Sequence, residues 1–125
     1  MTHSAARVGS ANTLISSEDV QGTQVYSPDS SHIGDIDHLM IEKTSGKVAY
    51  AVMSFGGFMG MGNSHYPVPW SALQYDTSMG GYRTNITEAQ LQNAPAFDDT
   101  SWADRKWEEN VHRHYQAPSY WDGSF

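Results

Sequence analysis

The sequence has no cysteine in its 125 residues. Disulfides, thiolate nucleophiles and cysteine-ligated zinc or iron–sulfur centres are therefore excluded together. It has no run of about 18 or more apolar residues, which excludes a membrane-spanning helix. Its opening residues lack the apolar core of a secretory signal, so a cytoplasmic location is expected. Basic side chains are few: 7 Lys and Arg against 14 Asp and Glu give a formal charge of −7. Such a chain repels a phosphate backbone unless a local basic patch outweighs the mean, and the sequence shows none, so no nucleic-acid binding is expected from it alone. The nucleophile elbow G-x-S-x-G is missing, and no lysine follows a glycine-rich turn in the manner of a phosphate-binding loop.

What is present suits one small domain. Hydrophobic residues at 38% and aromatics at 12% can fill a single core. Residues 1–12 are small and polar and read as an arm. Thr23 to Tyr26 reads as a strand, and Ser27-Pro28-Asp29-Ser30-Ser31 as the turn that closes a hairpin, since Pro28 fixes φ and Asp29 can bond its own backbone. From His32 to Glu42 the apolar residues Ile33, Ile36, Leu39 and Ile41 stand three, three and two apart, which fits neither strict alternation nor a helix. A strand whose alternation is interrupted between Ile36 and Leu39 by a bulge near Asp37-His38 is predicted. A turn at Thr44 to Lys47 leads to a β-rich segment, Val48 to Phe55. His65 to Val68 is a further strand ended by Pro69, and Trp70 to Leu73 a single helical turn. Leu73 to Asp76 and Gly81 to Asn85 form a last hairpin. Thr87-x-x-Gln90 is a capping box for a helix from Glu88 to Gln92.

Beyond Phe97 the character changes. Ala103, Trp107, Val111 and Tyr115 recur every four residues, which predicts a helix over Trp102 to Tyr115 with Glu109 and Arg113 paired on its wet side. Asp98 and Asp99 would complement its positive end, and His112, Arg113 and His114 its negative end. Pro118 stops it, and an extended tail follows with Tyr120, Trp121 and Phe125. The chain thus divides into the arm, a β domain over 13–97, and a helix and aromatic tail over 98–125.

Few patterns carry chemistry. Gly56-Gly57-Phe58-Met59-Gly60-Met61-Gly62 is rich in glycine, but Tyr66-Pro67-Val68-Pro69 follows it where a phosphate site needs a helix N-terminus. The plainer reading is a wide loop at a sheet rim whose Phe58, Met59 and Met61 cover an apolar surface. A strand sends Asp35 and Asp37 to one face and His38 to the other unless the bulge re-aims it. With His65 these residues make up an alternative rim pocket for a ligand or metal, against the simpler reading of solvated acids on a strand face. His112 and His114 lie about 200° apart around a helix and cannot share a metal. No catalytic residue and no cofactor is expected.

Thr13-Leu14-Ile15, Gly22-x-x-Val25-Tyr26, Ile33-Gly34-Asp35-Ile36, Gly46-Lys47-Val48-Ala49-Tyr50-Ala51-Val52, the glycine loop and Pro67-Val68-Pro69-Trp70-Ser71-Ala72-Leu73, in that order, resemble the PRC-barrel domain. The resemblance runs from Thr13 to Asn93 and implies a mainly β fold, a small antiparallel β-barrel with a short helix, to which this chain adds a C-terminal α-helix. Known settings of the family are the cytoplasmic part of the photosynthetic reaction centre H subunit and the C-terminal domain of a ribosome maturation factor, where the barrel is a docking module. The H subunit's membrane helix and the maturation factor's partner domain are both missing here. What the resemblance implies is a stand-alone bacterial protein, a non-catalytic adaptor or scaffold that binds other proteins, with no catalytic residues to carry over. Exposed aromatic and methionine side chains mark such surfaces, and a second copy of the chain is the simplest partner, so a homodimer is expected. Candidate contact residues are Phe58, Met59, Met61, Trp70, Trp102, Trp107 and Trp121. The alternative is a small ligand- or metal-binding protein or enzyme acting at Asp35, Asp37, His38 and His65.

Overall fold

A computed structural model describes residues 13–55 and 64–121. The expectations for the arm over 1–12, for Phe58, Met59 and Met61 in the glycine loop, and for Phe125 lie outside the described residues. Ser16 caps a first turn of helix, α1 (Ser17–Val20), by accepting from the Glu18 N–H at 3.1 Å. Strands β1 (Gln24–Tyr26), β2 (His32–Ile41), β3 (Val48–Phe55) and β4 (Ser64–Pro69) follow. A 3₁₀ turn (Trp70–Ala72) then leads into β5 (Leu73–Asp76) and β6 (Gly81–Thr84). The capping box forms as read: the Thr87 side chain accepts from the Gln90 N–H and the Gln90 side chain from the Thr87 N–H, opening α2 (Glu88–Gln92).

The strands make one sheet in the order β4-β3-β2-β1-β6-β5, a curled half-barrel. Antiparallel pairing is the rule, and Gly46 at φ +78° closes the β2–β3 turn where a side chain would be strained. The bulge falls where the spacing predicts it: Ile36 pairs with Met53 and His38 with Val52, leaving Asp37 without a partner. A second register shift, between Met40 and Ile41, left no such mark. Two features depart from an antiparallel barrel. β1 and β6 run parallel, and β4 and β5 do not pair with each other among the described residues, so the ladder stays open. β4 ends at Pro69 as read, and Pro67 lies within it, which an edge strand tolerates because a missing donor can face away from the ladder.

The C-terminal segment departs from a single helix. Asp98 caps a 3₁₀ turn (Asp99–Ala103), the chain breaks at Asp104, and the Asp104 carboxylate accepts from the Lys106 and Trp107 N–H groups to open α3 (Arg105–Tyr115). Ala103 therefore sits in the preceding turn and is exposed, while Trp107, Val111 and Tyr115 are buried. Gln116 ends α3 in the left-handed region at φ 55°, before Pro118 is reached. Arg113 donates to Asn110 at 2.8 Å rather than pairing with Glu109. One continuous core joins Val25, Ile36, Met53, Val68 and Leu91 to Trp107, Val111 and Tyr115, so α3 covers the sheet that it follows. Among the described residues no helix is long and apolar enough to cross a membrane.

The parallel β1–β6 contact brings backbones unusually close. A Cβ on Gly81 would lie 2.7 Å from the Gln24 carbonyl oxygen, and that atom is backbone and cannot swing aside. We predict that Gly81→Ala lowers stability by about 1–3 kcal/mol, seen as a lower denaturant midpoint at unchanged slope. An unaltered midpoint would show that the two strands part freely.

Candidate functional site

The bulge in β2 sets the rim cluster. Asp35, Ser54 and His65 lie in register on β2, β3 and β4, and Asp37 is two residues further along β2. Because Asp37 is the extra residue, His38 is re-aimed beside it: His38 Nδ1 is 2.7 Å from one Asp37 oxygen, and His65 Nε2 is 3.7 Å from the other. Asp35 stands apart and meets His32 Nε2 at 2.9 Å. The hydrogen bond from His38, and secondarily the charge of His65, hold the Asp37 carboxyl below its ordinary range. Asp37, His38 and His65 are about one-third to one-half exposed, so these are surface pairs of small energetic weight. Among the described residues no group of three or more His, Asp or Glu side chains is placed to hold a metal ion.

The densest constellation lies where α3 and the tail meet β3. Glu108 and His112 are one turn apart on α3, each next to a residue of the apolar stripe, and both are buried. Glu108 Oε1 accepts from the Tyr50 hydroxyl at 2.8 Å and from the Tyr120 hydroxyl at 2.5 Å. Arg105 Nε is 3.7 Å from Glu108 Oε2, and its guanidinium stacks 3.9 Å from the Trp121 ring centroid. His112 Nδ1 lies 3.0 Å from the Pro118 carbonyl oxygen and Nε2 3.1 Å from the Tyr50 hydroxyl. The carbonyl can only accept, so Nδ1 carries hydrogen. The Tyr50 hydroxyl stands between the Glu108 carboxyl and His112 Nε2. Tyr50 thus bridges His112 to Glu108, and Nδ1 is the nitrogen that donates to the Pro118 carbonyl. Rings enclose the group: Tyr50 touches Trp102, Trp107, His112 and Tyr120 at centroid distances of 5.4–6.0 Å, and Trp121 meets His112 edge-on at 5.1 Å.

His112 is therefore no exposed complement to the helix end; it is part of the core. His114, close by, reaches the Gln90 carbonyl oxygen at 2.8 Å. Of the candidate contact residues, Trp102 and Trp121 are half-buried beside this centre, and Trp70 is half-buried against Tyr82 at 5.4 Å. Trp107 is buried and donates its Nε1–H to the Ala96 carbonyl at 3.0 Å, which leaves it to the core rather than to a partner. Sequence reading missed Tyr50, Arg105, Glu108 and Tyr120. The available signal was the widened stripe 107-108-111-112-115, in which two polar residues share the face that the apolar ones bury.

The PRC-barrel domain family matches residues 12–91, and the chain belongs to it. No curated protein matches the sequence. Among solved structures it is similar to RimM from Pseudomonas aeruginosa, a protein named for 16S ribosomal RNA processing, with 17% identity and a TM-score of 0.41. That alignment covers 63% of this chain and 48% of RimM, so the chain spans about half of its length. The aromatic centre draws Glu108, His112 and Tyr120 from beyond the family's boundary and Tyr50 from within it.

Burial, and next the hydrogen bond to Glu108, push the Tyr50 hydroxyl far above its usual value of 10.0; burial foremost also raises Tyr82, Tyr115 and Tyr120. A folded-state value above the unfolded one adds stability that is complete below the unfolded value and is lost as pH rises through the folded one. We predict that on titration above about pH 10 these hydroxyls ionise together with unfolding, as one tyrosinate absorbance step coincident with loss of tertiary signal. Nitrogen NMR in the same series should show hydrogen on His112 Nδ1, which faces the Pro118 carbonyl. Tyrosine ionisation complete before the tertiary signal changes, or an Nδ1 without hydrogen, would contradict the network.

Proposed function

We propose that the chain is a non-catalytic protein-interaction module of the PRC-barrel type, an adaptor or scaffold that acts as a homodimer in the cytoplasm. The observation that carries this reading is the surface made by Arg105, Trp102, Tyr120 and Trp121. Tryptophan, tyrosine and arginine dominate the energetics of protein interfaces. Here their rotamers are fixed beforehand, because Glu108 holds Tyr120 from beneath and Arg105 stacks on Trp121. A surface ordered before it meets a partner loses less side-chain freedom on binding. Family membership supports the same reading, since the resemblance implies docking.

The second reading, a ligand- or metal-binding protein or enzyme at the rim, has in its favour the way His38 and His65 bracket Asp37. Asp35 does not join that cluster, and the side chains stand open to solvent, which disfavours precise catalytic positioning.

Light scattering on the purified chain should give the mass of a dimer. Trp121→Ala should shift it to monomer at unchanged circular dichroism, because Trp121 is only half-buried. A monomeric wild-type chain that also captures no protein from extracts of its host would contradict the proposal.

A further inference from the structure

Where the chain leaves α3 it forms one wall of a trough across the end of β5 and β6. One depression of about 300 Å³ is lined by Gln74, Thr84, Asn85 and Gln90 on the sheet side and by Tyr115 to Pro118 on the other. A second, of about 220 Å³, shares Ala72, Gln74, Thr84 and Asn85 with the first and continues to Pro28 and Arg83. Shared walls make the two depressions one elongated channel.

The lining has an unusual charge balance for this chain. Against 14 acidic and 7 basic residues overall, the described lining of the trough contains no Asp, Glu, Lys or His, and Arg83 is the single charge among those described residues. That charge is already engaged: Arg83 Nε donates to Asp76 at 2.7 Å and Nη2 to Ser30 at 3.3 Å. By contrast the side-chain amides of Gln74, Asn85 and Gln116 are exposed and make no hydrogen bond among the described residues. Each offers two N–H donors and a carbonyl acceptor, which can pair with the C=O and the single N–H of a peptide unit. A charged ligand would be desolvated here against no free counter-charge, whereas an uncharged main chain finds matching donors and acceptors. Ala72, Ile86, Ala117 and Pro118 leave shallow apolar places for small side chains between them.

We propose that this trough binds an extended, uncharged peptide segment of a partner protein, its backbone read by the amides of Gln74, Asn85 and Gln116. The proposal rests on the interaction-module reading and gives it a second surface, separate from the Trp121 patch. One wall of the trough, Tyr115 to Pro118, lies beyond residues 12–91, so the site belongs to this chain's own extension rather than to the family domain. Gln116 is held in the left-handed region, so Gln116→Gly removes the amide and keeps the helix cap.

The test is to pan a random peptide phage library against the immobilised full chain and measure the best synthetic peptide by fluorescence anisotropy. Enriched sequences should be poor in charge, and their affinity should stay constant between about 0.01 M and about 1 M salt, since no ion pair forms. The double variant Asn85→Ala/Gln116→Gly should fold normally and bind about tenfold more weakly, as expected for two lost hydrogen bonds. An empty selection, charged peptides with salt-dependent binding, or a double variant that binds like wild type would overturn the assignment. If any of these occurs while Trp121→Ala still abolishes dimerisation, the trough assignment alone falls. Should Trp121→Ala have no effect while the peptide binds as described, it is the Trp121 patch that falls.

Discussion

A carboxylate pressed beneath aromatic rings stays there only if its oxygens are hydrogen-bonded, because an unpaired buried charge costs several kcal/mol. Glu108 meets that condition with hydroxyls from two distant parts of the chain, Tyr50 on β3 and Tyr120 in the tail. Each partner is useless to the carboxylate unless the others are in place. The helix must seat Glu108 against β3, and the tail must fold back so that Tyr120 can close the ring. His112 extends the condition further, since its two ring nitrogens tie Tyr50 to the Pro118 backbone. Once the polar centre is satisfied, the apolar stripe of Trp107, Val111 and Tyr115 lies on the open half-barrel. The surfaces that follow, the Arg105–Trp121 stack and the trough beside Gln116, inherit their rigidity from it.

Much of the sheet could be read from local chemistry. Burial of one face forces a period of two, and the intervals of three at Ile33–Ile36 and Ile36–Leu39 depart from it where β2 shifts register, first against β1 and then against β3 at Asp37. Thr87 and Gln90 announced α2 because the capping box is reciprocal and local. The remainder depended on partners remote in sequence. No pattern within β1 or β6 says that they run parallel; Gly81 hints at close approach, but its neighbour Gln24 is known only from the fold. The open ladder is likewise a property of the whole sheet.

At the C-terminus two local signals competed. The four-residue spacing beginning at Ala103 put the helix start next to Asp98 and Asp99, and Asp98 does cap the 3₁₀ turn. Asp104 prevails because it satisfies the first α3 donors with Trp107 already turned toward the core. His112 was misplaced for a related reason: a histidine in a last helical turn suits the macrodipole, and only the position of Tyr50 shows that this one faces inward. For the rim, sequence brought Asp37, His38 and His65 to notice and the fold brought them together, while Asp35 went to His32.

If the polar centre is what seats the extension, then α3 and β3 open together. Native-state hydrogen exchange tests this most directly, since it reports the free energy at which each amide is released. The account predicts that the α3 amides within Arg105–Tyr115 are released at the same free energy as those of β3, in one cooperative unit. Rapid, independent exchange of α3 while β2 and β3 remain protected would contradict it.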